Sequence, residues 1–355
     1  MEALQTLAVY LQDQLVGHLS QIPGDRMVFH LSEAYLAQVK PPVIGQAFYD
    51  KTGQLIPSLR PSQTKAPPFF SNLLPEGPLR QYLSQQIGNK NSRDFLLLKQ
   101  LGQDLPGAIR LLPLENGHID YSDSLDHQGK TEANIDSKPL KFSLAGVQLK
   151  FSALYQKQGG LTIPVQGMGG DWIVKLPSMH FQGVPENEFS MLQLAKAVGI
   201  EVPEIQLVPV SDIQGLPEIA EQLQGNALAI KRFDRVGQKR IHTEDFAQVY
   251  NIYPNKKYHG VSYGNIAQMV FHLAGQTELS DFIKRLAFNV LIGNGDMHLK
   301  NWSWLYPDGY TPQLAPAYDY VATHLFIPDK TLALSFAGSK SMQGFTIDRI
   351  RYFID

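Results

Sequence analysis

The sequence predicts an α+β protein with a β-rich lobe and a helical lobe, preceded by a smaller β-rich module. Three observations carry this. Short apolar runs separated by turn signals fill the N-terminal part and recur from about residue 140 to 235. After Thr243 the apolar spacing becomes helical. Between the two β-rich stretches, Glu115 to Pro139 is rich in Asp, Ser, Asn, Gln and Gly and reads as an exposed linker. The expected units are 1–114, the linker 115–139, a β-rich lobe 140–235 and a helical lobe 236–355.

The first unit opens with a meander. Leu7–Leu11, Asp13–Gly17 and Arg26–Phe29 read as its strands. Gly77-Pro78-Leu79 opens a helix with proline in its first turn, and Ser92 is expected to cap another that runs through Phe95, Leu98 and Leu101 to Gly102. The second unit starts with a strand at 141–143 and a loop at 145–150. Strands follow at Phe151–Tyr155, Trp172–Leu176, Ile205–Val210 and Ala227–Phe233. Phe189, Leu192, Ala195 and Val198 lie at helical spacing, with Gly199 placed to stop that helix. Ser262 and Thr277 are expected helix caps in the last unit. A five-stranded lobe followed by a helical lobe is the architecture of a protein kinase.

Composition narrows the chemistry. A formal net charge of −2 gives no global field toward nucleic acid or an anionic membrane, and the local cationic clusters, such as Lys256-Lys257, are short. The absence of cysteine excludes disulfides, thiolate metal sites and a cysteine nucleophile. The first residues carry an early acid rather than a basic region and an apolar core, and read as mature sequence. No apolar run approaches the roughly 20 residues of a membrane span. These features predict a soluble chain in a reducing cytoplasm, without membrane contact.

The strongest local signal is Gly293-Asn294-Gly295-Asp296-Met297-His298-Leu299-Lys300-Asn301. Asp296 and Asn301 stand at the Asp-x-x-x-x-Asn spacing by which a kinase sets its base and a metal-binding amide. A carboxylate accepts the proton of the substrate hydroxyl, while a neutral amide oxygen can hold Mg²⁺ without adding a charge beside the base. Lys300 is placed to neutralise charge on the transferred phosphoryl group. Tyr306-Pro307-Asp308-Gly309 is a hairpin turn signal. The hairpin should return Tyr318 and Asp319 to the neighbourhood of Asn301, with Asp319 as the main Mg²⁺ ligand. Lys175 ends an apolar strand and must find an anion or snorkel; its partner is Glu188 or Glu186. Ala145-Gly146-Val147-Gln148-Leu149-Lys150 lacks the two glycines and the Gly-Lys-Ser/Thr end of a Walker A loop, which excludes a P-loop enzyme.

These segments, taken in order with Phe69–Gly77 and Lys231–Arg235, resemble the HipA family of bacterial toxin kinases along nearly the whole chain. The resemblance implies a phosphoinositide-kinase-like fold and transfer from Mg-ATP to serine or threonine on a protein, an aminoacyl-tRNA synthetase being the target in several members. It implies a helix-turn-helix antitoxin as partner, through which alone DNA is reached. Carried over, Ala145, Gly146, Val147, Gln148, Leu149, Lys150, Lys175, Lys231, Arg232, Phe233, His298, Leu299, Lys300, Asn301, Tyr318 and Asp319 contact ATP. Asp296 is the base, Asn301 and Asp319 hold Mg²⁺, and Ser143 is autophosphorylated. Two departures are visible: Lys231 stands where many members have an acid, and the chain ends at Asp355, before a typical member's last helical segment.

Two rivals differ in class. A small-molecule phosphotransferase usually carries His-x-Asp-x-x-x-x-Asn, whereas Gly295 precedes Asp296 and the histidine follows as His298. A pseudokinase scaffold would bind without transfer, although the charged groups of an active enzyme are all present.

Overall fold

The computed structural model describes residues 5–88, 93–114, 149–155, 161–163, 169–178, 180–217, 220, 222–328 and 330–354. The expected meander is there. Strands β1 (Gln5–Leu11), β2 (Gln14–Ile22) and β3 (Arg26–Leu31) pair antiparallel in chain order. Strands β4 (Ser62–Gln63) and β5 (Ile109–Pro113) complete the sheet in the order β4-β3-β2-β1-β5. Helices α1 (Glu33–Leu36), α2 (Pro68–Asn72), α3 (Gly77–Gln86) and α4 (Asp94–Leu101) accompany it. Phe29, Phe48, Phe69 and Phe70 interlock edge to face or tilted, with ring centroids 4.9–5.5 Å apart. Pro78 sits in the first turn of α3 as expected, where its missing N–H costs nothing. Ser92 lies outside the described residues, and the residue at the N-cap of α4 is Arg93.

Among the described residues the second sheet has six strands. They are β6 (Lys150–Tyr155), β7 (Leu161–Thr162), β8 (Trp172–Lys175), β9 (Ile205–Pro209), β10 (Ile213–Gln214) and β11 (Asn226–Lys231), in the order β10-β7-β6-β8-β11-β9. The two unforeseen strands have two residues each, too short for any alternation to announce them. The expected strand at 141–143 lies outside the described residues. Helix α5 (Val184–Ala197) packs on β11 and β9 and ends at Gly199, whose φ of 77° admits the left-handed turn that stops it.

The last unit is less purely helical than its spacing suggests. Short pairs β12 (Arg235–Val236) and β13 (Lys239–Arg240) lead into β14 (His242–Asp245) and α6 (Phe246–Val249). The long helix α7 (Tyr263–Leu291) starts at Ser262, whose hydroxyl accepts from the Asn265 N–H in a reciprocal capping box. It is broken at Gly275, where φ is 81° and ψ is −170°. A second helical run starts after this break, and Thr277, expected as its cap, lies in its first turn, two residues past Gly275. Strands β15 (Ser303–Tyr306) and β16 (Gln313–Leu314) join β14 in a three-stranded sheet. A hairpin of β17 (Thr331–Phe336) and β18 (Ser339–Ser341) and helix α8 (Ile347–Ile354) follow.

The second sheet is buried on both faces, and β11 shows why. Successive side chains of a strand point to opposite sides. Ala227 and Ala229 face a core shared with the N-terminal module, while Leu228 and Ile230 face the core of the helical lobe. The module therefore packs directly on the back of the second sheet. Between them lies a buried polar cluster. Arg232 donates twice to Asp234, at 2.8 Å each, and once to Ser152. Arg235 bridges Asp234 at 2.8 Å and Asp104 of the module at 3.0 Å, and the Gly107 N–H donates to Asp234. Burial alone would raise the Asp234 carboxyl, but Arg232 and Arg235 hold it far below the usual carboxylate range.

Asp234→Ala should therefore leave two buried guanidinium groups short of their anion and destabilise the protein by about 3–5 kcal/mol. Urea unfolding of the variant against the wild type measures this.

Candidate active site

The hairpin that follows the Gly293–Asn301 loop forms as its turn residues require. Asp308 accepts from the N–H groups of Tyr310 and Thr311, and Gly309 takes a φ of 83°. The returning chain binds back on the outgoing one: the Ala315 N–H donates to Ser303 O at 2.9 Å, and the Tyr318 hydroxyl donates to Lys300 O at 3.0 Å. Asp319 is thereby brought to the loop. Asn294 fixes the juncture, since its amide N–H donates to Asp319 O at 3.2 Å while its oxygen accepts from the Asp296 N–H at 3.0 Å. Asp319 has a left-handed backbone, φ 56°, a conformation that short polar side chains tolerate better than most.

The opposite wall comes from the sheet. Lys175 at the end of β8 forms ion pairs with both Glu188 of α5 and Asp319. The choice between Glu186 and Glu188 is thus settled for Glu188; Glu186 accepts instead from Asn226 at 3.1 Å. Lys150 at the start of β6 reaches Asp319 at 3.5 Å. Burial would raise the Asp319 carboxyl, but the two lysines hold it far below its ordinary value. Burial would likewise lower the Lys175 ammonium, yet Asp319 and Glu188 outweigh it and raise it.

Between the walls lies a cleft of about 820 Å³. Lys150, Lys175, Asp296, Asn301 and Asp319 all line it. Burial raises the Asp296 carboxyl, and the Tyr258 hydroxyl donates to its Oδ1 at 2.6 Å. Asn301 donates its amide N–H to Asp296 O at 2.8 Å, which leaves the amide oxygen for another partner. An anionic carboxylate and a neutral amide oxygen are hard oxygen donors that suit Mg²⁺, and Asn301 and Asp319 are the pair that could hold it.

The remaining expected residues divide. Lys231, Phe233, His298 and Tyr318 line the cleft. Phe233 and Tyr318 face each other at 5.8 Å, and the Lys231 ammonium turns to Glu204 at 3.1 Å. His298 is neutral, its pKa pushed down to about 3 by burial and by Lys257. Arg232 and Lys300 also line the cleft, with their charged ends bound to protein groups, whereas Leu299 does not line it. The Arg232 guanidinium is committed to Asp234 and Ser152 and braces the lobe. Leu299 is fully buried in the core of the helical lobe and does not line the cleft. The Lys300 ammonium is bound by Asn72 O at 2.8 Å, Asn72 Oδ1 at 3.2 Å, Glu76 at 3.3 Å and Asp245 at 3.4 Å. It ties this part of the cleft wall to the N-terminal module. Leu149 packs at the edge of the first core, its carbonyl accepting from the Leu176 N–H. Ser143, Ala145, Gly146, Val147 and Gln148 lie outside the described residues.

Several groups at the site escaped the sequence reading. Asn294 was within the motif and could have been found there, as a polar residue flanked by glycines. Asn72, Glu76, Lys257 and Tyr258 carry no local signal, because their partners are distant in the chain.

Residues 142–351 match the HipA-like C-terminal domain, and residues 7–112 match the HipA N-terminal domain. The chain belongs to the HipA family. Its relatives include "Putative kinase Y4dM" of Sinorhizobium fredii, 47% identical over 99% of this chain and 86% of that protein. "Serine/threonine-protein kinase toxin HipA" of Shewanella oneidensis is 26% identical over 90% of this chain and 76% of its own length. Among solved structures, HipA from the Shewanella oneidensis MR-1 complex of HipA, HipB and operator DNA superposes with a TM-score of 0.71. That match has 22% identity and covers 98% of this chain and 84% of the other, and it bears out the kinase-like α+β fold. No helix among the described residues is long and apolar enough to cross a membrane.

In this HipA-family site Asn294 joins the two acid-bearing segments. Asn294→Ala would leave buried backbone groups without their partner and should cost about 1–3 kcal/mol. Chemical denaturation measures the loss.

Proposed function

We propose that this HipA-family protein is a Mg-ATP-dependent kinase that phosphorylates serine or threonine on a protein target, as the toxin of a toxin–antitoxin pair in the cytoplasm. One observation carries the reading: Asp296, Asn301 and Asp319 from one lobe face Lys175, paired with Glu188, across a single cleft. The kinase names of its relatives support it.

In this reading Asp296 is the catalytic base. Its raised pKa suits proton acceptance from a hydroxyl, and Tyr258 orients it from the side. Lys175, fixed by Glu188, meets the α- and β-phosphates, and Lys150 adds a second cation beside them. Phe233 and Tyr318 offer ring surface in the cleft, which Lys231 also lines. Ala145 to Gln148, outside the described residues, are assigned to ATP contact by the family resemblance alone. Asn301 and Asp319 would hold Mg²⁺, which when bound neutralises charge on the phosphates. Lys300 lines the cleft with its ammonium bound by Asn72, Glu76 and Asp245.

The partner is a helix-turn-helix antitoxin, in keeping with the HipA–HipB–DNA assembly of the structural neighbour, and DNA is reached only through it. The target class is a protein, with an aminoacyl-tRNA synthetase as the first to assay.

Asp296→Asn should lower transfer from labelled ATP by about 10²–10⁴-fold while Mg-ATP binding, followed by calorimetry, is retained. Asp319→Asn should lose both transfer and Mg-ATP affinity. Full activity in either variant overturns the assignment.

Ser143, outside the described residues, is the proposed site of autophosphorylation, and a phosphate there adds about two negative charges to the chain. Mass spectrometry should find that phosphate on wild-type protein and not on Asp296→Asn. The same phosphate on both would mean that another kinase adds it.

A further inference from the structure

The segment Phe69–Gly77 belongs to the N-terminal module, and the mechanism above leaves it without a role. Its last residues nevertheless reach the Gly293–Asn301 loop. Glu76, at the N-cap of α3, places one carboxylate between two ammonium groups: Lys257 at 3.1 Å and Lys300 at 3.3 Å. Both lysine side chains are nearly buried, at 9% and 6% exposure, so neither can hand its charge to water.

Each lysine is one step from the proposed base, on a different side of it. Lys257 is followed by Tyr258, whose hydroxyl donates to Asp296 Oδ1 at 2.6 Å, and the Lys257 carbonyl accepts from the Leu299 N–H at 3.3 Å. Lys300 is followed by Asn301, whose amide donates to Asp296 O at 2.8 Å. A single carboxylate from the module therefore fixes both flanks of Asp296.

The two arms are not equally secured. Lys300 has Asn72 and Asp245 as further partners. For Lys257, Glu76 is the anion in ion-pair contact among the described residues. Loss of the Glu76 charge leaves the Lys300 side anchored and releases the Lys257–Tyr258 arm. The loop should then stay folded while the base loses its lateral support.

We propose that Glu76 is a positioning residue of the active site: the N-terminal module clamps Lys257 and Lys300 through it and so holds Asp296 and Asn301 in place for transfer. The inference rests on the reading of Asp296 as the base. It makes the module a working part of the enzyme, in addition to a support for the sheet.

The test compares wild type, Glu76→Gln, Lys257→Met and the double variant in transfer from labelled ATP, with Mg-ATP affinity measured separately by calorimetry. Glu76→Gln should lower kcat by about 10- to 100-fold, the scale expected of a displaced catalytic group. Affinity for Mg-ATP should remain within about twofold, because Lys175, Lys150 and Asp319 are untouched. Lys257→Met should show the same loss, and the double variant no more than either single one, since all three cut the same arm. If Glu76→Gln does not fold, Lys257→Met alone decides, by the same split between kcat and affinity. A normal kcat in a folded single variant, losses that multiply in the double variant, or a parallel fall of affinity and rate would each overturn the inference while the kinase reading stands. A wild-type protein that transfers no phosphate overturns that reading, and this inference with it.

Discussion

A charge taken out of water must find a partner, and in this protein that requirement decides how the elements meet. Lys175 lies at the inner end of an otherwise apolar strand and is 3% exposed. It is tolerable there only because Glu188 from α5 and Asp319 from beyond the β15–β16 hairpin converge on it. The three residues come from three elements of two lobes. Their mutual satisfaction sets the position of the helix, the return of the hairpin and the width of the cleft together.

The same rule explains why buried carboxylates here behave so differently. Asp234 sits between two arginines and is held far below its ordinary range. Glu244, where the module meets β14, has only neutral donors in Tyr306 and the Gln46 N–H, and burial pushes it up to about 8. Asp296 is raised by burial, an effect partly offset by Tyr258 and Lys257. Basicity at the cleft is thus a product of which partners the fold supplies, and a basic carboxylate is useful where a hydroxyl proton has to be taken.

The second sheet gives the arrangement its frame. Because β11 alternates small residues on one side with Leu228 and Ile230 on the other, one face accepts the N-terminal module closely and the other accepts the helical lobe. That close seat carries Asn72 and Glu76 within reach of Lys300, 228 residues on from Asn72.

The sequence by itself determined what depends on near neighbours. The meander, the Pro78 and Ser262 helix starts, the Gly199 stop and the hairpin at Tyr306–Gly309 follow from periodicity and from turn or cap chemistry within a few residues. The Asp296–Asn301 spacing and the return of Asp319 were legible for the same reason. The side-chain commitments were not. Lys300 read locally as a cation for the transferred phosphoryl group, and Glu188 and Glu186, two residues apart, were both open as the partner of Lys175. Which anion each cation meets is fixed only when segments a hundred or more residues apart pack together, because ion pairing depends on distance in space and on exclusion of water, and the linear sequence specifies neither.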